Sequence, residues 1–319
     1  MWSFIKRAIF VVGFIFTISV IYKLVFGSPE NQRMVSKNEI LHLEIKGVIL
    51  DGKKFLDALK KYSKDDSIKA IVIDINSPGG AVGPSQEIYY EILRTKKETK
   101  KPVICVSTGL IASGGYYSAL ACDQILVAPG TMIGSIGVIM EFANLEGLYD
   151  WAKVKRYTIT SGKFKDSGAE YRMMREDERA LFQNMINEVY EQFRDAVASS
   201  RNLPVEVVSQ YADGRVMTGA TAVKLKFADV EGTFEDAVRM AAQKANLGSD
   251  YHLFKPRKDK PSLFEMIMDE KPEDDLNSEA MTNPFRGQFS DQVVNKTIDK
   301  VFKTKLLNQP LYMMPGTWE

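Results

Sequence analysis

Two turns in this chain set serine beside paired glycines: Ser77-Pro78-Gly79-Gly80 and Ser113-Gly114-Gly115. Each directly follows an apolar run that reads as a strand. Glycine leaves backbone N–H groups uncovered, and a helix that follows turns its positive end toward whatever binds there. The amides of Gly80 and Gly114 could therefore hold the oxyanion of an acyl-transfer reaction. Ser113, with two glycines after it, has an uncrowded hydroxyl and is the candidate nucleophile. The bland alternatives are a helix N-cap for the serine and turns that need glycine for φ alone. A serine hydroxyl also needs a base. The chain contains only His42 and His252, neither near a catalytic-looking loop, so a histidine-activated scheme has little to draw on. A lysine amine can serve instead if burial lowers its pKa from about 10.4 toward 7 or 8, at roughly 4 kcal/mol. The segment TSGKFKDSG, residues 160–168, offers Lys163 and Lys165 in a glycine-bounded turn. Periodicity does not choose between them.

Positioning these groups requires a framework, and from residue 40 onward the pattern is short apolar strands alternating with amphipathic helices. Strands are predicted over residues 39–49, 68–75, 103–107, 124–127 and 155–160, and helices near 53–62, 84–95, 113–121 and 144–152. Such alternation implies an α/β fold with a largely parallel sheet covered by helices. A long helix follows over about 176–200, with Leu181, Met185, Val189 and Phe193 four residues apart on one face. Shorter helices are expected near 204–211, 218–226 and 233–246.

Composition excludes several classes. The 319 residues carry 42 Lys+Arg against 41 Asp+Glu, a net charge of +1 that leaves no basic surplus for nucleic acid. Cys105 and Cys122 are too few for a disulfide framework or a four-cysteine zinc site, and their apolar surroundings suggest buried thiols. No phosphate-binding glycine motif is present, so no metal or nucleotide cofactor is expected. Residues 8–22 are uncharged, and the apolar run resumes after Lys23 as Leu24, Val25 and Phe26. Nineteen positions at 1.5 Å give roughly 28 Å, near one membrane crossing. Lys6 and Arg7 favour a cytoplasmic N-terminus, which puts the rest of the chain outside the inner membrane. A cleaved signal peptide ending near Val25-Phe26-Gly27 is the rival reading.

The division that follows is an anchor and linker over 1–38, a compact domain over 39–248, and a tail over 249–319. Six of the twelve prolines lie between Pro256 and Pro315, among charge clusters such as KPRKDK and DEKPEDD. Helical segments are possible there near 262–270 and 290–305. The terminus is apolar, and Leu311 to Met314 are expected to reach a substrate groove in this or a neighbouring subunit, a docked structural tail being the plainer alternative.

Five blocks in order, SPGG (77–80), ASGGYY (112–117), GSIGV (134–138), TSGKFKDSG (160–168) and DGRVMTGATA (213–222), resemble the signal peptide peptidase A family. The resemblance covers about residues 40–245. It implies the fold shared by caseinolytic protease (ClpP) subunits and crotonases, with repeated β-β-α units, and a membrane-held Ser/Lys-dyad serine endopeptidase acting on apolar peptides such as cleaved signal peptides. It puts the nucleophile at Ser113, the general base at Lys165, the lysine-positioning hydroxyl at Ser135, and the oxyanion donors on the amides of Gly80 and Gly114. It further implies a homo-oligomeric ring in which Ser113 and Lys165 can come from adjacent protomers. The tail is longer than is common for single-unit members. Two other classes remain: a crotonase-like acyl-CoA enzyme, which needs neither the Ser/Lys pair nor an anchor, and a non-catalytic membrane scaffold of the same fold.

Overall fold

The structure, a computed structural model, describes residues 38–256 and 310–313 together with the single position Ile18. Residues 38–256 and 310–313 fall within one compact unit. Its strands are β1 (Glu39–Lys46), β2 (Ile68–Asn76), β3 (Gly79–Ala81), β4 (Val103–Ser107), β5 (Leu110–Ala112), β6 (Gln124–Val127), β7 (Met132–Gly134), β8 (Val216–Thr218), β9 (Val230–Glu231), β10 (His252–Phe254) and β11 (Leu311–Met313). Its helices are α1 (Lys53–Tyr62), α2 (Val82–Thr99), α3 (Gly114–Ala119), α4 (Glu146–Trp151), α5 (Glu176–Arg201), α6 (Val205–Ser209), α7 (Gly219–Lys224) and α8 (Phe234–Lys244).

Six strands form one sheet in the order β10-β1-β2-β4-β6-β9, and every neighbouring pair is parallel. Both faces of such a sheet must be covered, and strand alternation shows how. On β1 and β2, Leu41, Leu43, Ile71, Ile73 and Ile75 point into the larger core with Tyr116, Phe193 and Phe227. Their neighbours Ile40, Ala70 and Val72 point the other way, with Ile104, Val106 and Leu126, against Ala237, Val238, Ala241 and Ala242 of α8. Alanines on α8 bring its backbone close to the sheet. The segment 252–254, assigned to the tail by composition, adds β10 beside β1 at the sheet edge.

A second layer carries the glycine turns. β5 pairs with β7 in parallel and β7 with β8 antiparallel, while β3 pairs antiparallel with β11. Ser77 ties this layer to the main sheet: its N–H donates to the Leu110 carbonyl at 2.8 Å and its hydroxyl to the Gly47 carbonyl at 2.7 Å.

Three expectations need correction or restriction. Residues 155–160 form no strand; the whole of 151–160 is exposed, and among the described residues no strand pairs with it. The long helix meets the main core in its C-terminal half, where Phe193 is buried, while near its start Leu181 is exposed and Phe182 packs on Phe142 instead. Cys105 and Cys122 are not free thiols but form a disulfide, because the Asp123 N–H bonds the Val103 carbonyl and brings the end of α3 beside β4, with Cα atoms 5.9 Å apart. The segment 8–26 lies outside the described residues apart from Ile18, as do the helices considered at 262–270 and 290–305. Among the described residues no helix is long and apolar enough to cross a membrane.

The disulfide is directly testable. Protein unfolded without reductant should yield no titratable thiol, and two after reduction. Reduction should lower unfolding stability by about 3 kcal/mol, the chain-entropy value for a loop of this length, read as a lower denaturant midpoint.

Candidate active site

Ser113 stands between β5 and α3 with φ 49° and ψ −117°, outside the regions comfortable for a side chain. It is fully buried, makes no side-chain cap to α3, and its Oγ has no hydrogen-bond partner. The N-cap reading therefore fails. Backbone bonds hold the residue from both sides: its N–H donates to the Gly134 carbonyl at 2.8 Å, and its carbonyl accepts from the Tyr117 N–H at 2.8 Å. Further along α3, the Tyr116 hydroxyl donates to the Phe227 carbonyl at 2.7 Å, a bond that seats the helix in the core. Burial pushes the Tyr116 phenol pKa upward, so this donor stays protonated.

The bond to Gly134 also brings Ser135 to the site. Ser135 is buried, has φ 50°, and its N–H donates to the Arg215 carbonyl at 2.8 Å. The blocks at 112–117, 134–138 and 213–222 thus converge on one place, although together they span more than a hundred residues.

The other glycine turn faces Ser113. Gly79 has φ +98°, and a Cβ there would meet the Gly114 nitrogen at 2.6 Å and the Ser113 Cβ at 3.0 Å. Gly80 lies against Ile49 in a short parallel bridge. The Ser77 hydroxyl accepts from the Gly79 N–H at 3.1 Å and so stiffens the turn.

The C-terminal segment occupies the groove beside these glycines. Leu311, Tyr312 and Met313 of β11 stand opposite Ala81, Gly80 and Gly79, and on the far side Leu311 exchanges both backbone bonds with Ile139 at 2.9 and 3.1 Å. All three side chains are buried. The Val82 N–H bonds the Pro310 carbonyl at 3.4 Å. Antiparallel alternation then makes Tyr312 opposite Gly80 a hydrogen-bonded pair as well, with the Gly80 N–H directed at the Tyr312 carbonyl. That oxygen also lies 3.0 Å from where a Gly114 Cβ would stand and crowds the Gly79 Cα. A peptide carbonyl thus sits against the two glycine turns whose amides are expected to form an oxyanion hole.

Lys165 is not joined to this cluster. It is exposed and makes no ion pair or side-chain hydrogen bond among the described residues. Its turn is fixed from outside instead. Arg172 donates to Glu178 at 2.6 and 2.9 Å and pairs with Asp166 at 2.9 Å, while Arg175 donates to the Lys163 carbonyl at 2.8 Å. Lys163 pairs with Asp177 at 2.7 Å. Around the turn, Trp151, Tyr157, Ile159 and Phe164 are exposed apolar side chains.

The family model for peptidase family S49 matches residues 95–248. A candidate protease of Synechocystis sp. is 39% identical over 217 residues, 67% of this chain and 77% of its own. A candidate signal peptide peptidase SppA of Enterococcus faecium is 32% identical over 240 residues, 70% of each chain. The chain belongs to peptidase family S49. The chloroplastic serine protease SPPA of Arabidopsis thaliana is 35% identical over 206 residues, 64% of this chain and 30% of its own. Among solved structures, a ClpP1 mutant from Listeria monocytogenes aligns with a TM-score of 0.42 at 19% identity, over 62% of this chain and 94% of its own. As a member of family S49, this chain is a serine-type peptidase.

Two tests follow for this S49 site. Gly79→Ala should lower peptide hydrolysis by ~100-fold or more while circular dichroism stays native, since the new methyl meets the Gly114 amide and strains a positive φ. The second concerns the Lys165 turn. Hydrogen bonds from Arg172 hold the Asp166 and Glu178 carboxyls below their ordinary range. A depressed folded pKa contributes stability above the unfolded value near 4 and loses it as pH falls through the folded value. Hydrogen exchange at 162–168 should therefore rise below about pH 4, ahead of exchange in β2 and β4.

Proposed function

We propose that this peptidase is a membrane-held Ser/Lys-dyad endopeptidase that cuts apolar peptides, cleaved signal peptides among them, on the extracytoplasmic side of the cell membrane. The observation that carries the catalytic part is the buried, unpartnered Ser113 hydroxyl together with the peptide carbonyl lodged against the two glycine turns. In this reading neutral Lys165 takes the Ser113 proton as Oγ bonds to the substrate carbonyl carbon. The Gly80 and Gly114 amides stabilise the oxyanion. The carbon–nitrogen bond then breaks, the proton passes to the leaving amine, and water releases the acyl group with Lys165 again acting as base. Ser135 positions the lysine amine.

The exposed position of Lys165 fits a base supplied to a neighbouring copy. A lysine becomes a useful base only when desolvated, and the apolar side chains around its turn form the kind of surface that a partner covers. A homo-oligomeric ring would bring this turn over the next subunit's Ser113. The substrate preference and the membrane location rest on the family resemblance and on the apolar run at 8–26.

The test uses the full chain in detergent with a fluorogenic apolar peptide. Ser113→Ala and Lys165→Ala should each lose at least ~1,000-fold in turnover with folding intact. Co-refolding the two inactive variants should restore up to about a quarter of the sites if serine and lysine come from different subunits. Full activity in both single variants would exclude the dyad, and thioester turnover untouched by Ser113→Ala would favour an acyl-CoA enzyme.

A further inference from the structure

On the face of the main sheet turned away from α3, the C-terminal ends of β1 and β2 carry a polar cluster that the peptidase chemistry does not use. Strand alternation puts His42, Glu44 and Lys46 on the face of Ile40, and Asp74 on the face of Val72. In the parallel register Glu44 stands directly opposite Asp74, one step along from His42 and Val72. α8 packs on the apolar part of this face, and its first residue, Phe234, sets its ring on the His42 imidazole with centroids 4.6 Å apart. Like charges directly opposite on neighbouring strands repel, so the two carboxylates need a cation. Lysines supply it from the rim: Lys46 pairs with Glu44 and, at 3.5 Å, with Asp74, and Lys255 pairs with Glu44 at 2.9 Å. Both lysine side chains are about half exposed, so their ammonium groups can swing into water.

The lysines leave His42 unexplained. It is only 8% exposed, and its Nε2 is enclosed with no hydrogen-bond partner, a state that buried polar atoms rarely keep. One ring nitrogen of His42 and one carboxylate oxygen each of Glu44 and Asp74 lie within 4.8 Å of one another. We propose that His42, Glu44 and Asp74 form a binding site for a divalent transition-metal ion of the Zn2+ type, with water completing its shell. One imidazole nitrogen and two carboxylate oxygens suit Zn2+, whereas Mg2+ and Ca2+ take shells of oxygen alone. The three atoms draw together by about an ångström around an ion of that size. Burial holds the imidazole below its ordinary pKa, so it is neutral at pH 7 and has a lone pair to offer. Glu44 is ionised as well: although burial opposes it, bonds from Lys46 and Lys255 hold its pKa at about 2. The ion replaces the two ammonium groups as counter-charge and gives the imidazole the partner it lacks. It clamps β1 to β2 three residues ahead of Ser77, as a structural ion with no part in bond breaking.

The test uses the full chain, treated with chelator, dialysed and kept oxidised so that Cys105 and Cys122 offer no thiolate. Zn2+ binding is read by competition with a chromophoric chelator and by thermal unfolding, neither of which depends on turnover. The wild type should bind Zn2+ and melt at a higher temperature as the ion is added. His42→Ala and Asp74→Asn should each weaken that binding ~10-fold or more, while His252→Ala leaves it unchanged. Lys46→Met separates a metal site from a carboxylate pair that lysine alone neutralises. Without the competing ammonium, Zn2+ should bind several-fold tighter and raise the melting temperature further than in the wild type. No binding up to about 1 mM Zn2+, binding that survives both His42→Ala and Asp74→Asn, or binding weakened by Lys46→Met would each overturn the site. Displacement of Zn2+ by an equal concentration of Mg2+ would do so too, since an all-oxygen site has no use for His42.

Discussion

Everything at this site depends on a gap one carbonyl oxygen wide between two chain turns. Gly79 and Gly114 approach so closely that a methyl group on Gly79 would touch the Gly114 amide, and the space left is filled by the Tyr312 carbonyl. Ser113 borders that space only because its backbone takes φ 49° and ψ −117°, a strained conformation that costs about 1–3 kcal/mol. Its buried and unpaired hydroxyl adds a cost of similar size. Both costs are offset by the surroundings: the Gly134 carbonyl holds the Ser113 amide, and Tyr116 pins α3 through the Phe227 carbonyl. The strain keeps the hydroxyl from relaxing into an ordinary helix cap, where it would bond its own helix and lose the freedom that the proposed role requires.

The parallel sheet makes this arrangement possible by bringing successive strand ends to one edge. β2 leads to the first glycine turn, and β4 leads through β5 to the second. Ser77 joins them, because its carbonyl accepts from Ala112 while its amide donates to Leu110. The two turns are 34 residues apart in sequence and one backbone bond apart in space. Glycine is needed at Gly79 for its φ of +98° and for the close approach.

Much of this was legible in the sequence because it follows from local chemistry. The predicted strands at 68–75, 103–107 and 124–127 agree with β2, β4 and β6 to within a residue, since buried parallel strands read as unbroken apolar runs. The glycine turns were visible for the same reason that they work. The failures came where a distant partner decides. Residues 155–160 alternate like a strand, but pairing needs a neighbour, and among the described residues none lies beside them. Cys105 and Cys122 form a disulfide only because β4 and the end of α3 are adjacent, which spacing does not reveal. Gln86 carried no signal at all, because nothing in an exposed-looking helix turn announces that it faces the Tyr312 phenol 226 residues further on. The apolar terminus at 311–314 did signal a docking segment, though not which residue would meet Gly80.

The proposed nucleophile and the proposed base are held to different standards in this molecule, and the difference bears on control. Ser113, Ser135 and the glycines are fixed by the core, so one chain suffices to build them. Lys165 rides on a turn held by Arg172 and Arg175 at the start of α5, with solvent on its outer side. A solvated ammonium is no base near neutral pH. In the reading proposed above, a lone chain is therefore silent twice over, lacking a desolvated amine and carrying its own strand in the groove. Assembly would remove the first block by covering the apolar surface around Lys165. Substrate would have to remove the second, by displacing three residues that are bonded on both edges. A segment that must be displaced sets a threshold: only peptides able to form the same strand would compete for Ser113. An internal competitor of moderate strength narrows the range of segments that reach Ser113 without any change to the groups around it.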